Sequence, residues 1–270
     1  MRILISGTSS GLGASLLKRF GGEAYSRTSV LAPGASFDMI IHCATDAAKT
    51  VSPDTIEEYF RNNVELTRRL LGVRHGRFVF MSTIDVYPKH LRLCEEDTPI
   101  NAHDISGVYG IAKFYSEALV RQNAAAPLII RASALLGAPM RESSLTRMLR
   151  TRGASIGLAA ASSFNYVLHD DVGDLIEAAN REGMSGIVNC CSACAVTLGQ
   201  ISEAFGCGTH FGDFVYSTPP LANERATALV PDLARSSLET VQMFRRGILQ
   251  QEEAANGPVI MRPAALRRSI

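Results

Sequence analysis

The 270 residues carry a formal net charge of +1, 46% hydrophobic side chains and six cysteines. That balance gives no electrostatic case for nucleic acid or a membrane surface as the main partner, and the apolar share suffices for one large α/β domain or one domain with a small lobe. No apolar run approaches the ~20 residues that span a bilayer, and the six cysteines are expected to sit reduced in a cytoplasm.

Met1 to Gly7 is apolar but broken at once by Ser6 and Gly7, so it reads as a first strand (Arg2 to Ser6) and not as a signal peptide. Gly7-Thr8-Ser9-Ser10-Gly11-Leu12-Gly13 follows, and an amphipathic helix runs from Ala14 to Phe20. Glycine between strand and helix permits a tight turn and lets a pyrophosphate approach the backbone, where the helix amides and dipole hold the anion. Gly7, Ser9, Ser10, Gly11, Leu12 and Gly13 are therefore candidate dinucleotide contacts. The second strand, Glu23 to Thr28, places Ser26 and Arg27 where NAD-selective folds carry an acidic residue for the ribose 2′-hydroxyl. An arginine there can pair with a 2′-phosphate, which favours NADP with NAD the alternative; a merely solvated Arg27 is the plain reading.

Between Arg27 and Phe37 there are too few residues for a helical crossover, which takes roughly a dozen or more. Phe37 to Ala44 is nevertheless a clear buried strand, so one strand–helix unit of the usual doubly wound sheet is expected to be missing. Cys43, Ala44 and Thr45, at its end, are further candidate cofactor contacts. Thr55 to Leu71 has helical spacing, with Ile56, Tyr59, Phe60, Val64 and Leu70 towards one side. Arg77 to Ser82 reads as another buried strand, leading into Ser82-Thr83-Ile84-Asp85-Val86-Tyr87-Pro88. Ligands of an open parallel sheet bind beyond the carboxyl ends of its strands, so Ser82 and Thr83 are placed either to orient a substrate carbonyl or simply to cap the strand.

Tyr109 and Lys113, four apart in a helical segment (Tyr109 to Gln122), emerge from one face. A free phenol, with a pKa near ~10, is a poor proton donor or acceptor at neutral pH. A lysine cation beside it favours the phenolate and brings it towards a useful range. The spacing alone also describes ordinary helix surface.

The order of the Gly-rich turn, strand-end Ser82-Thr83-x-x-Val86-Tyr87, then Tyr109-Gly110-x-x-Lys113 with the later Glu117 resembles the short-chain dehydrogenase/reductase superfamily. It is most similar to the extended branch, the NAD-dependent epimerase/dehydratase family acting on nucleotide sugars. Asn62-Asn63-Val64, Leu128-Ile129-Ile130-Arg131, Leu136-Gly137-Ala138-Pro139, Asn165 to Val172, Gly186 to Asn189 and Val196-Thr197-Leu198 resemble successive family segments over residues 1 to about 240. The resemblance implies Tyr109 as general acid/base and Lys113 as the group that lowers its pKa and bonds the nicotinamide ribose. It implies Thr83, with Ser82, orienting the carbonyl, and Asn63 holding a backbone kink or relay water. Gly7-x-x-x-Gly11-x-Gly13 is closer to the single-domain reductase branch, and Pro88 stands where the extended branch usually has glycine. Ile84 departs from the acid that dehydratases carry after their threonine, although Asp85 retains the next one. Ketone reduction or epimerisation is thus implied over dehydration.

Further along, Ser143 to Thr151 reads as a helix, with Arg141, Arg147, Arg150 and Arg152 either pairing with a substrate diphosphate or forming a solvated face. Gly206 to Pro220 suits a substrate-covering strand and loop, or ordinary lobe packing. Cys191-x-x-Cys194 and Cys207-x-x-His210 have ligand-like spacing for zinc. Cys190 and Cys191 fall in a strand-like stretch, however, and core packing is the favoured reading. Gly257 to Ile270 reads as a frayed tail. The expected architecture is a Rossmann-like parallel sheet, shortened by one unit, over 1–136 and 166–195. A small substrate lobe over 137–165 and 196–240 and a C-terminal helix and tail over 241–270 complete it. The expected activity is NADP-dependent reduction of a nucleotide-linked keto sugar, with epimerase and cofactor sensor as alternatives, in a homodimer without nucleic acid, membrane or metal.

Overall fold

The computed structural model describes residues 1–46, 51–138 and 140–256, with side chains of the last helix described to residue 247. Pro139 and the tail 257–270 lie outside the described residues. Strands β1 (Ile3–Ser6), β2 (Glu23–Tyr25), β3 (Ser36–His42), β4 (Arg74–Thr83) and β5 (Pro127–Ala132) come first; β6 (Ala134–Leu136), β7 (Ser155–Leu158), β8 (Ser163–Phe164) and β9 (Tyr166–Leu168) follow. The last are β10 (Gly186–Cys190), β11 (Val196–Thr197) and β12 (His210–Phe214). The helices are α1 (Gly11–Phe20), α2 (Ile56–Phe60), α3 (Leu66–Leu71), α4 (Gly107–Asn123), α5 (Ser144–Arg150), α6 (His169–Arg181), α7 (Leu198–Phe205), α8 (Glu224–Leu229) and α9 (Ser237–Asn256).

Six strands form one parallel sheet in the order β10-β5-β4-β3-β1-β2. Helices cover both faces, so the central strands read as continuous apolar runs whose alternate residues part to opposite sides. Ile3, Ile5, Met39, Ile41, Val79, Met81, Leu128 and Ile130 pack with Leu12 and Leu16 of α1 and Val172, Leu175 and Ile176 of α6. Leu4, Ile40, Phe78, Phe80 and Ile129 pack on the other face with Leu66 and Leu70 of α3 and Val120 of α4.

The missing unit is visible beside β2, which is the edge of the sheet. Residues 26–35 return the chain to β3 as turns without a helix. Ten extended residues reach ~33 Å, more than the ~23 Å of a seven-residue strand, so the return needs no crossover helix. Leu31 and Ala35 of this loop pack against the core face that α3 and α4 also cover.

Two expectations shift. The helix expected over 55–71 is broken by a π-helical turn, Arg61–Glu65, between α2 and α3. Ile56, expected on the buried side, is 41% exposed, whereas Tyr59 and Leu70 are buried. The second strand also stops at Tyr25, so Ser26 and Arg27 lie just past its end.

Outside the sheet, β6 pairs with β9, β7 with β12 and β8 with β11. These enclose a separate apolar cluster that includes Leu136, Leu145, Met148, Ile156, Tyr166, Leu198, Ile201, Val241 and Phe244. Ser143 and Thr146 close a reciprocal capping box at the start of α5. No helix among the described residues is long and apolar enough to cross a membrane.

Candidate functional site

One cleft of about 810 Å³ opens at the carboxyl ends of β1, β3 and β4. Its floor is the turn from β1 into α1, lined by Gly7 to Gly13 without a break. Gly7 has φ +76°, and a Cβ there would lie 2.7 Å from the Ala44 nitrogen; a Cβ at Gly13 would run into the Gly7 carbonyl. These two positions have to be glycine for turn and helix to close up. The N-cap Ser10 makes no side-chain cap, and no acidic residue occupies the first turn of α1. The first amides and the positive end of the dipole are thus left to an anion in the cleft.

One end of the cleft is lined by Tyr25, Ser26, Arg27, Asp46 and Asn62. Arg27 Nη1 donates to Asn62 Oδ1 at 2.9 Å, and Asn62 Nδ2 donates to Asp46 Oδ2 at 2.8 Å. This bridge holds the Arg27 guanidinium at the cleft wall. The wall itself, Cys43-Ala44-Thr45-Asp46, is set from beneath. Asn63 Oδ1 receives Thr45 Oγ1 at 2.9 Å and the Asp46 amide at 2.8 Å, and its Nδ2 donates to the Tyr59 carbonyl at 2.9 Å. Asn63 is 6% exposed and sits in the π turn. It therefore ties the π turn to the loop at Thr45 and Asp46.

A buried chain continues below. Thr67 Oγ1 donates to the Asn63 carbonyl at 2.9 Å and so must accept from His42 Nε2 at 2.9 Å; His42 Nδ1 then accepts from Ser6 Oγ at 2.7 Å, and Ser6 Oγ accepts the Ala44 amide at 3.2 Å. Every donor finds an acceptor only if the imidazole is neutral and protonated on Nε2. Burial, with the charge of Lys113, pushes the His42 pKa down to about 3, in keeping with that form. Neither the Ser6–His42–Thr67 chain nor the Asp46 link to Asn62 stood out in the sequence, since these partners lie 16 to 36 residues apart.

The other end holds Met81, Ser82, Tyr109, Lys113, Leu135 and Arg141. Tyr109 and Lys113 share a face of α4 and line the same end of the cleft. Lys113 Nζ donates to the Met81 carbonyl at 2.8 Å and lies 4.9 Å from the centre of the Phe80 ring. Burial pulls its pKa down to about 8, against the raising effect of Cys43 and Glu117. The Tyr109 phenol is pushed up, first by burial and then by Asp85, while its hydrogen bond to Thr83 acts the other way. The phenol is therefore protonated at neutral pH in this arrangement. Thr83 Oγ1 accepts the Asp85 amide at 3.2 Å, leaving its proton for Tyr109 or a ligand oxygen.

Ser82 departs from its expected use. Its hydroxyl donates to Glu117 Oε1 at 2.5 Å, so its proton is directed into the protein and away from a carbonyl in the cleft. Of the cysteines, Cys43 lines the cleft; Cys190, Cys191 and Cys207 are buried and Cys194 is exposed. Among the described residues no group of three His, Cys, Asp or Glu side chains is gathered as for a metal ion.

No curated protein matches the chain by sequence. Solved structures do match its fold. A UDP-glucuronic acid 4-epimerase from Bacillus cereus, in complex with UDP-glucuronic acid and NAD, superposes with TM-score 0.74 at 16% identity over 93% of this chain and 100% of that one. A dTDP-4-dehydrorhamnose reductase from Clostridium acetobutylicum gives 0.73 at 17% identity over 93% and 100%. A UDP-galactose 4-epimerase gives 0.69 at 20% identity over 93% and 99%. The family model for the NAD dependent epimerase/dehydratase family matches residues 23–191, more than half of the sequence. By that match, and with this parallel sheet and glycine turn, the chain belongs to the NAD dependent epimerase/dehydratase family.

Proposed function

We propose that the protein is an NADP-dependent oxidoreductase that reduces a keto group on a nucleotide-linked sugar, with Tyr109 as general acid. The observation that carries the reading is the continuity of one cleft from the Gly7–Gly13 turn to Tyr109 and Lys113. The residues present suit a dinucleotide. The turn and the uncapped start of α1 would take the pyrophosphate, Arg27 and Ser26 the adenosine ribose and its 2′-phosphate, and Lys113 the nicotinamide ribose. When bound, the cofactor supplies the hydride. The protein's part is to hold the ketone, exclude water and deliver a proton to the carbonyl oxygen.

A reduction needs an acid at that oxygen, and Tyr109 is held as a neutral phenol by burial and by Asp85. As the oxygen gains charge the phenol proton moves onto it, and the phenolate left behind is stabilised by the Thr83 hydroxyl and by the Lys113 cation. Epimerisation is the second reading, favoured by the two 4-epimerases of the same fold. It uses the same groups in both directions, with Tyr109 first taking and then returning the proton. The same fold would pair into a homodimer through α2, α3 and α4, where Ile56 and Tyr115 are exposed. A dimer mass in sedimentation velocity checks that, and a monomer at micromolar concentration refutes it.

Calorimetric titration tests the cofactor assignment. NADPH is expected to bind more tightly than NADH, and Arg27→Ala to weaken NADPH by roughly tenfold or more, as for a lost charge-assisted hydrogen bond worth about 1.5–3 kcal/mol. Tighter NADH binding would reverse the assignment and raise the epimerase reading. No binding of either would remove the enzyme reading altogether.

Lys113 supplies a second readout from the same titration. Burial lowers its pKa to about 8, so near pH 8 about half of the sites are uncharged. An acceptor oxygen arriving at its Nζ favours the cation, raises the pKa and draws in a proton. Cofactor binding at pH 8 is therefore expected to take up as much as ~0.5 proton per site, read from heats in buffers of different ionisation enthalpy. At pH 6, where Lys113 is already charged, the uptake should vanish. Equal uptake at both pH values would place the linkage elsewhere.

A further inference from the structure

The bridge at the Arg27 end of the cleft joins three separate segments, and its middle member decides what the outer two can do. Arg27 follows β2 in a loop held by its own short bonds: the Ser26 amide donates to Ser29 Oγ at 2.9 Å and the Ser29 amide to the Ser26 carbonyl at 3.1 Å. β2 is the edge of the sheet, and the partner that fixes the Arg27 side chain comes from the π turn, 35 residues on. Arg27 Nη1 donates to Asn62 Oδ1 at 2.9 Å, and Asn62 Nδ2 donates in turn to Asp46 Oδ2 at 2.8 Å. Asp46 is itself held by its amide, which Asn63 receives at 2.8 Å. An arginine offers only donors and a carboxylate only acceptors, so a side chain between them must accept at one end and donate at the other. Asn62 does both. A carboxylate in its place would face Asp46, and a direct Arg27–Asp46 pair would spend the guanidinium's charge within the protein. Among the described residues that line the cleft, Asp46 is the one acid; the cations are Arg27 at this end and Lys113 and Arg141 at the other. Arg69 is tied to the Tyr25 hydroxyl of the Arg27 end at 3.3 Å.

We propose that Asn62 is a positioning residue for cofactor choice: anchored on Asp46, it holds Arg27 in place with its charge unspent. Selectivity for NADP(H) over NAD(H) then belongs to this three-residue bridge and not to Arg27 alone. The inference rests on the NADP reading above and adds how that selectivity is set. An unheld arginine side chain samples many rotamers, which a phosphate must freeze as it binds; one already oriented loses less. The Asn62 amide also occupies Oδ2 of Asp46, whose charge repels a 2′-phosphate. The ribose 2′-hydroxyl of NAD(H) draws on neither effect, so the loss of Asn62 falls on NADP(H).

The test titrates NADPH and NADH by calorimetry into the wild type, Asn62→Leu, Arg27→Ala and the double variant. Asn62→Leu should weaken NADPH by about three- to tenfold, the range of one hydrogen bond, and leave NADH within about twofold. In the Arg27→Ala background the same substitution should change NADPH by less than about twofold, because two residues that act through one contact are not additive. Asn62→Ser, too short to reach both charges, should give the same result and serves where the leucine variant does not fold. Equal losses of NADPH and NADH affinity would make Asn62 a merely structural residue and overturn the inference. Unchanged NADPH affinity, or losses that multiply in the double variant, overturn it too. In each of those cases a loss of NADPH affinity in Arg27→Ala alone leaves the NADP reading standing. If Arg27→Ala does not weaken NADPH, or the wild type binds NADH more tightly, that reading falls and the inference with it.

Discussion

Replacing Glu117 by Ala is expected to cost about 3–5 kcal/mol of folding stability, because it leaves a buried guanidinium without its counter-charge. Glu117 is 0% and Arg131 2% exposed. Arg131 grips the carboxylate with both edges, Nε to Oε1 at 3.0 Å and Nη2 to Oε2 at 2.7 Å, and its guanidinium carbon lies 4.7 Å from the centre of the Tyr87 ring. Ser82 adds its hydroxyl to the same carboxylate. Glu117 follows Lys113 by four residues, as Lys113 follows Tyr109, so one stripe of α4 carries all three. The ion pair lashes that stripe to β4 and β5 and thereby sets the depth at which Tyr109 and Lys113 enter the cleft. Denaturant unfolding of the variant gives the loss directly, and a change under ~1 kcal/mol would mean the pair is already compensated by the surrounding dipoles. A Glu117→Leu, Arg131→Met double variant should recover most of the stability, since a well-packed apolar pair removes both buried charges together.

The parts legible in the sequence are those dictated by local pattern. Apolar runs such as Met39 to Ile41 and Phe78 to Met81 announce strands buried on both faces, and Gly7 and Gly13 announce a turn pressed against its neighbours. Even the missing strand–helix unit is readable, because ten residues between Tyr25 and Ser36 leave no room for a helical crossover. What stayed hidden depends on long-range partners. Tyr216 reads as one aromatic among several until the loop after β12 delivers it to Asp85, 131 residues away. The π turn at Arg61–Glu65 has no mark of its own in a segment with ordinary helical spacing, yet it turns Asn63 towards Thr45 and Asp46. Ser82 and Thr83 are neighbours with the same hydroxyl chemistry. Strand alternation sends the first to Glu117 and the second to Tyr109. Tyr109 and Lys113 are the reverse case: the spacing rightly placed them on one face but said nothing of Met81, whose carbonyl takes the ammonium.

That division bears on the largest effect expected of the site. Tyr109→Phe should lower turnover of a keto-sugar substrate by about 10²–10⁴, the usual share of a positioned general acid, while NADPH affinity stays within about threefold. The ring and its packing remain in the variant, and only the hydroxyl that Thr83 bonds is removed. In the wild type that phenol is a neutral acid until charge develops on the carbonyl oxygen, so its loss falls on the transition state more than on the bound ground state. The deficit should therefore appear in kcat more than in KM. Thr83→Ala should show a smaller fall in the same direction, about tenfold, since the phenolate loses one charge-assisted hydrogen bond of ~1.5 kcal/mol. If Tyr109→Phe keeps full turnover, proton delivery belongs to another group and Tyr109 is not the general acid. If the wild type binds NADPH but turns over no keto sugar that the variant could lose, the chain is a cofactor-binding sensor built on an enzyme's fold.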